Sequence, residues 1–141
     1  MSSTEETGDA VREILTGSKT WAVVGCSPDP TRESHRVARF LQSSGYRVIP
    51  VNPLADEILG ERSYPTTATA IPGDEQVDVV DIFRRSELAG THIDEAIAIG
   101  AGAVWMQLGV IDEAAAARAT DASLRVVMDR CPAIELPRLR G

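Results

Sequence analysis

The stretch Thr20–Leu41, TWAVVGCSPDPTRESHRVARFL, decides the fold. Trp21 to Val24 is an unbroken apolar run, and Gly25 follows it directly. A loop with Pro28 and Pro30 leads into Val37, Phe40 and Leu41, which recur at helical spacing. Strand, tight turn and helix in that order form the repeating unit of a parallel sheet, and a helix start behind a glycine turn favours anions.

Outward from this unit the pattern repeats. Strands are expected at Trp21–Val24, Arg47–Val51, Val77–Phe83, Ala103–Gln107 and Leu124–Met128. Most are continuous Val/Ile-rich runs, so both sheet faces should be covered. Helices are expected at Ser34–Ser44, about Glu87–Ile99 and Asp112–Ala122, with Asp112 as an N-cap and Gly45 and Gly100 at C-terminal caps. Ser34 is read as the cap of the first crossover helix. The first few residues are expected to be loose. Val11, Ile14 and Leu15 then give a short amphipathic helix stopped near Gly17, so residues 1–18 read as an N-terminal helix or arm and 19–141 as the domain proper. Leu54–Asp74 should hold a short edge strand around Arg62–Tyr64 and one short helix.

The alternation predicts an α/β, three-layer, doubly wound, mostly parallel sheet of five to six strands. The first strand is central, with Val77–Phe83 pairing opposite Arg47–Val51. A ligand crevice then opens at the strand C-termini, where Gly25–Glu33, Phe83–Ser86 and Met106–Val110 meet and Asn52–Pro53 flanks them.

Composition narrows the function. The 141 residues suffice for one compact domain, and 43% hydrophobic content makes it globular. A net charge of −7 argues against nucleic acid but not against one small anion held by local arginines. Two cysteines, Cys26 and Cys131, suggest neither a disulfide framework nor a metal set. The N-terminus does not read as a signal peptide, and the apolar stretch Ala96–Ile111 is too interrupted to span a membrane, so a cytoplasmic location is expected.

The loop does not carry the G-x-G-x-x-G fingerprint of NAD binding. Only Gly25 is present, Ser27 stands where a second glycine would fall, and the second strand ends Val51-Asn52-Pro53 without a ribose-binding carboxylate. Two readings remain open on spacing alone: a phosphate cradle for another nucleotide, or a rigid loop before a helix cap.

The segments AVVGCSPDPTRESHRVARFLQSSGYRVIPVNP, VDVVDIFRRSE, AIAIGAGAVWMQLGV and VVMDRC together resemble the small stand-alone CoA-binding proteins, over about Lys19 to Glu135. These are Rossmann-like domains similar to the N-terminal domain of the succinyl-CoA synthetase alpha subunit. The resemblance implies coenzyme A as ligand. It sets Gly25, Cys26 and Ser27 against the diphosphate, with Pro28 and Arg32 nearby. Val51, Asn52 and Pro53 would flank the adenosine, and Phe83 and Arg84 would border the groove. Met106, Gln107, Leu108 and Gly109 would line the pantetheine side. The synthetase's phosphorylated histidine lies in a second domain with no counterpart in these residues, and His35 and His92 match no catalytic position. Ala55 supplies no cation after the VNP turn for a 3′-phosphate.

The expected role is therefore a non-catalytic carrier, sensor or regulatory module for CoA or an acyl-CoA. The alternatives are a small acyl-CoA or thiol-redox enzyme using Cys26, and a regulatory subunit of a protein partner. Of Arg84 and Arg85, one is expected in the groove and one in an ion pair, with Glu87 in reach, or in a subunit contact. His92 is expected on an exposed helix face. Trp21 and Trp105 are expected in the core. Asp81 is the candidate to accept backbone NH groups near the crevice.

Overall fold

A computed structural model of the chain describes residues 3–70 and 75–140. Five parallel strands form one sheet: β1 (Thr20–Val24), β2 (Arg47–Val51), β5 (Val79–Ile82), β6 (Ala103–Met106) and β7 (Arg125–Val127), in the order β2-β1-β5-β6-β7. Trp21 pairs with Val48 on one side and Val79 on the other, so β1 is an interior strand, as its unbroken burial requires, while the centre of the sheet is β5 and not the first strand. The register places alternate residues on opposite faces. Ala22, Val24, Val80 and Ile82 face α3 (Ser86–Ala98) and α4 (Glu113–Asp121). Trp21, Val23, Val79 and Trp105 face α1 (Ser3–Gly17), α2 (Glu33–Ser43) and α5 (Pro132–Arg140).

Packing on the second face explains its helices. Val37 and Leu41 of α2 are buried, and each such side chain stabilises the fold by roughly 1.5–3 kcal/mol. Trp21 and Trp105 pack with ring centroids 5.5 Å apart. Their indole NH groups donate to Ser18 Oγ at 2.8 Å and to the Arg130 carbonyl at 2.9 Å, so burial leaves no unmet donor there.

Some expectations are corrected. α1 begins at Ser3, well before its first buried residue Val11, and belongs to the core: Val11, Ile14 and Leu15 join the second cluster, and Tyr46 Oη donates to the Leu15 carbonyl at 2.5 Å. The edge strand is a small antiparallel hairpin, β3 (Glu57–Ile58) with β4 (Glu61–Arg62), and Tyr64 adds a parallel bridge to Val51. The short helix expected there is a 3-10 turn at Thr67–Thr69. Residues 71–74, Pro72 among them, lie outside the described residues. α5 has no counterpart in the sequence reading. Asp112 caps α4 as expected, accepting from the Ala115 NH at 3.0 Å. Among the described residues no helix is long and apolar enough to cross a membrane.

Candidate functional site

β1 and β5 are neighbours whose following helices depart to opposite faces, α2 to one and α3 to the other. Their loops must diverge, and a groove opens between them at the C-terminal edge of the sheet. It has three connected parts, all bordered by Phe83. The middle one, about 370 Å³, is lined by Gly25, Ser27, Arg32, Glu33, Ser34 and Phe83. One flank, about 180 Å³, runs toward the end of β2 past Val51, Asn52 and Pro53. The other flank, about 450 Å³, runs toward Leu108, Gly109, Val110 and the start of α5.

The loop after β1 is braced at nearly every residue. The Gly25 NH donates to the Val51 carbonyl at 2.9 Å, with φ at +81°. A Cβ at this position would sit 2.5 Å from the Phe83 carbonyl oxygen, so glycine is required by the neighbouring strand before any ligand arrives. Asn52 Nδ2 donates to the Cys26 carbonyl at 2.9 Å, while its Oδ1 accepts the Leu54 NH at 2.8 Å. Asn52 therefore ties the end of β2 to the glycine turn. The Ser27 NH donates to Ser34 Oγ at 3.0 Å, and the Ser27 carbonyl lies 2.9 Å from His35 Nδ1.

These bonds revise the helix cap. Arg32, not Ser34, is the N-cap residue of α2, and its side chain makes no bond to the first turn. The Ser34 hydroxyl is spent on the Ser27 NH instead. The helix thus starts uncapped, its first amides unspent by any side chain and its dipole facing the middle of the groove. The side chains of Arg32 and Arg84 make no ion pair or hydrogen bond among the described residues, although the protein is acidic, and Asp29 lies near enough to Arg32 to feel its charge. Glu33, beside them, is held by Arg36 at 2.6 Å. Arg85 pairs with Glu87 at 3.3 Å as expected of one of the two, but it also borders the large flank beside Arg84, so both consecutive arginines reach the groove.

The backbone NH groups expected at Asp81 are accepted by Asp78 instead, at the other end of the strand. Asp78, just before β5, accepts the NH groups of Lys19 and Thr20 at 2.8 and 2.9 Å. Asp81 is fully buried and binds no backbone NH. With the Gln107 amide nitrogen turned toward it, Gln107 donates to its two oxygens at 2.7 and 3.1 Å. Burial pushes the Asp81 carboxyl well above the usual range. The Cys26 thiol is also buried, and burial followed by the nearby Asp81 pushes it up to about 12.

Gly25, Ser27, Arg32, Val51, Asn52, Pro53, Phe83, Arg84, Gln107, Leu108 and Gly109 all border the groove. Pro28 is exposed outside it, the Cys26 side chain packs into the core, and Met106 is fully buried among core residues. Sequence reasoning missed Cys131, Ala133 and Ile134, which α5 and its lead-in bring to the large flank. It also set His92 in solvent, whereas His92 is half-buried and borders the small flank with Pro65. Asp129 was a usable signal: its Oδ1 accepts the Gly109 NH at 2.7 Å and fastens the loop after β7 to the groove.

Relatives share this architecture. A protein of Bacillus subtilis (strain 168), YneT, is 38% identical over 121 residues, covering 86% of this chain and 87% of that one. The solved structure of a hypothetical protein from Pyrococcus horikoshii OT3 superposes with a TM-score of 0.88 at 37% identity, covering 95% of this chain and 92% of that one. A dinucleotide-forming acetyl-coenzyme A synthetase 1 from Ca. Korarchaeum cryptofilum, in complex with phosphate and ADP, matches at 29% identity and a TM-score of 0.70. That match covers 81% of this chain but 26% of the synthetase. The family model described as a CoA binding domain matches residues 19–137, from the start of β1 through most of α5, and the chain belongs to that family.

Proposed function

We propose that this protein binds coenzyme A or an acyl-CoA along the three-part groove and acts as a non-catalytic carrier, sensor or regulatory module. One observation carries the reading: two unpaired arginines, Arg32 and Arg84, border the groove where an uncapped helix start and a glycine turn meet. A diphosphate is the ligand group that uses all of these at once, by charge-assisted bonds and amide donors. The cradle fits the group because Gly25, Ser27 and Ser34 leave backbone and hydroxyls close to the space, with no large side chain filling it.

The remaining parts suit the ends of the ligand. The pantetheine arm would lie in the large flank, against Leu108, Gly109, Val110 and Ile134, whose walls are mainly apolar. The adenosine would enter the small flank by Val51, Asn52 and Pro53. NAD fits less well, since the Asn52 side chain is already committed at both its atoms and no carboxylate ends β2. A reactive Cys26 is disfavoured, because a buried thiol raised to about 12 holds little thiolate at neutral pH.

Titration calorimetry with CoA and NAD tests the reading. CoA is expected to bind at least about tenfold more tightly, a difference of about 1.4 kcal/mol. Equal or tighter binding of NAD would reject it. Native mass spectrometry of the purified protein should weigh a retained CoA or acyl-CoA directly.

A further inference from the structure

The small flank of the groove holds a titratable group that neither phosphate nor pantetheine would use. His92 of α3 borders it beside Pro53, Leu54 and Pro65, with Asn52 and Arg84 as the other polar side chains of the same flank. Its Nδ1 lies 3.2 Å from Thr67 Oγ1 and 3.5 Å from Glu95 Oε1. The Thr67 hydroxyl can give or take a proton, but a carboxylate only accepts, so Glu95 favours the tautomer with the proton on Nδ1, and that neutral ring offers Nε2 as a lone-pair acceptor. Among the described residues Nε2 makes no hydrogen bond and is not sealed from solvent, and the residue lines the small flank.

We propose that His92 reads the base of the bound nucleotide: Nε2 accepts a hydrogen bond from the exocyclic amine of adenine and makes this flank selective against 6-oxo purines. The inference rests on the CoA-binding reading above. A 6-oxo purine would set a carbonyl oxygen against the Nε2 lone pair, and two acceptors facing each other in a half-buried slot cannot both be satisfied. The surroundings hold the ring in the required state. Burial depresses the His92 pKa below its ordinary value of 6.5, and Arg84, from the loop after β5, acts in the same direction. Glu95, on the same helix, opposes them, and Thr67 from the 3-10 turn is neutral. Arg118 of α4 is paired with Asp94. A neutral ring beside the Glu95 carboxylate is a poor receptor for the 3′-phosphate, which separates base reading from phosphate binding.

The test compares CoA with its deaminated 6-oxo analogue, 3′-phosphate intact, on wild type, His92→Phe and His92→Gln. Wild type should prefer CoA by about tenfold or more. His92→Phe keeps the ring and should lower the preference below about twofold, whereas His92→Gln restores an acceptor and should recover part of it. Circular dichroism checks that α3 persists in both variants. On acidification through the depressed His92 pKa, Nε2 gains a proton and becomes a donor, so wild-type affinity for CoA should fall while that for the 6-oxo analogue rises. Equal wild-type affinities, or a preference retained in His92→Phe, would overturn the assignment while leaving CoA binding intact. Affinity that rises on acidification for CoA but not for dephospho-CoA would also overturn it, marking His92 as a phosphate reader. Failure of wild type to bind CoA would overturn the CoA reading and this one with it.

Discussion

The two ends of the sheet use their polar groups in opposite ways. At the N-terminal end of the strands, charges and amides satisfy one another. Asp78 takes the Lys19 and Thr20 NH groups, Arg47 pairs with Glu61 and Glu75, and Arg125 pairs with Glu13. At the C-terminal end bonding capacity is left over: the Arg32 and Arg84 side chains have no ion pair, α2 starts uncapped, and His92, which lines the groove, leaves Nε2 unbonded. Both ends belong to one sheet with one core, so folding does not account for the contrast. Unspent donors beside a cleft are what the proposed polar ligand would use.

The largest effect that would sharpen this contrast is on folding. At Gly25→Ala the new Cβ meets the Phe83 carbonyl and the backbone sits at φ +81°, so stability should fall by about 2–4 kcal/mol in urea unfolding. Unchanged stability would show that the two loops do not approach so closely. Next come the cations. Arg32→Gln and Arg84→Gln should each weaken CoA by roughly 10- to 100-fold, about 1.5–3 kcal/mol, if the contacts are charge-assisted. Arg125→Gln at the opposite end should change affinity by less than about twofold, since its exposed pair bears on stability by at most about 1 kcal/mol. Equal losses for all three would mean diffuse attraction and break the comparison.

The elements that the sequence announces are those under local control. Unbroken Val/Ile runs revealed all five strands, because a strand covered on both faces has little choice of residue. The crevice followed from strand order alone, and Gly25, Asn52 and Arg84 stand at it. What escaped depends on tertiary packing. α5 was hidden by Pro132 and Pro137: proline suits the first helical position, which Pro132 takes, but Pro137 lies inside the helix, where sequence reasoning expects a break. With α5 went Ile134 and Cys131 on the large flank. Ser34 looked like a cap because it stands one turn before Val37, but the folded loop claims its hydroxyl. Asp78, not Asp81, takes backbone NH groups because β5 starts at Val79, two residues later than its apolar run suggests, which leaves Asp78 before the strand and Asp81 buried within it. His92 reads as exposed on helical periodicity until the 3-10 turn at Thr67–Thr69 folds against α3.

The two carboxylates of that strand give the next test. Asp81 has a folded-state pKa raised above its ordinary value of 3.8, so its contribution to stability is fully present below that value and lost as pH rises through the raised one. Asp81→Asn should therefore flatten the pH dependence and gain on wild type in alkali, where even one unit of displacement corresponds to about 1.4 kcal/mol. Urea unfolding of both proteins from pH 4 to pH 9 reads this, and a variant that loses ground in alkali would contradict it. The smallest effect belongs to Glu33, an acidic residue at an anion site whose charge Arg36 partly offsets. Glu33→Gln should tighten CoA by about two- to threefold, as removal of a partly screened like charge should.

The difference between the ends is tested most directly by amide NMR during a CoA titration. The backbone NH signals of Gly25 to Ser27 and Glu33 to His35 should shift most, in proportion to saturation, while those of Lys19, Thr20 and Arg125 stay where they are. Shifts concentrated at the N-terminal end of the strands, or spread evenly over both ends, would contradict the assignment of the groove.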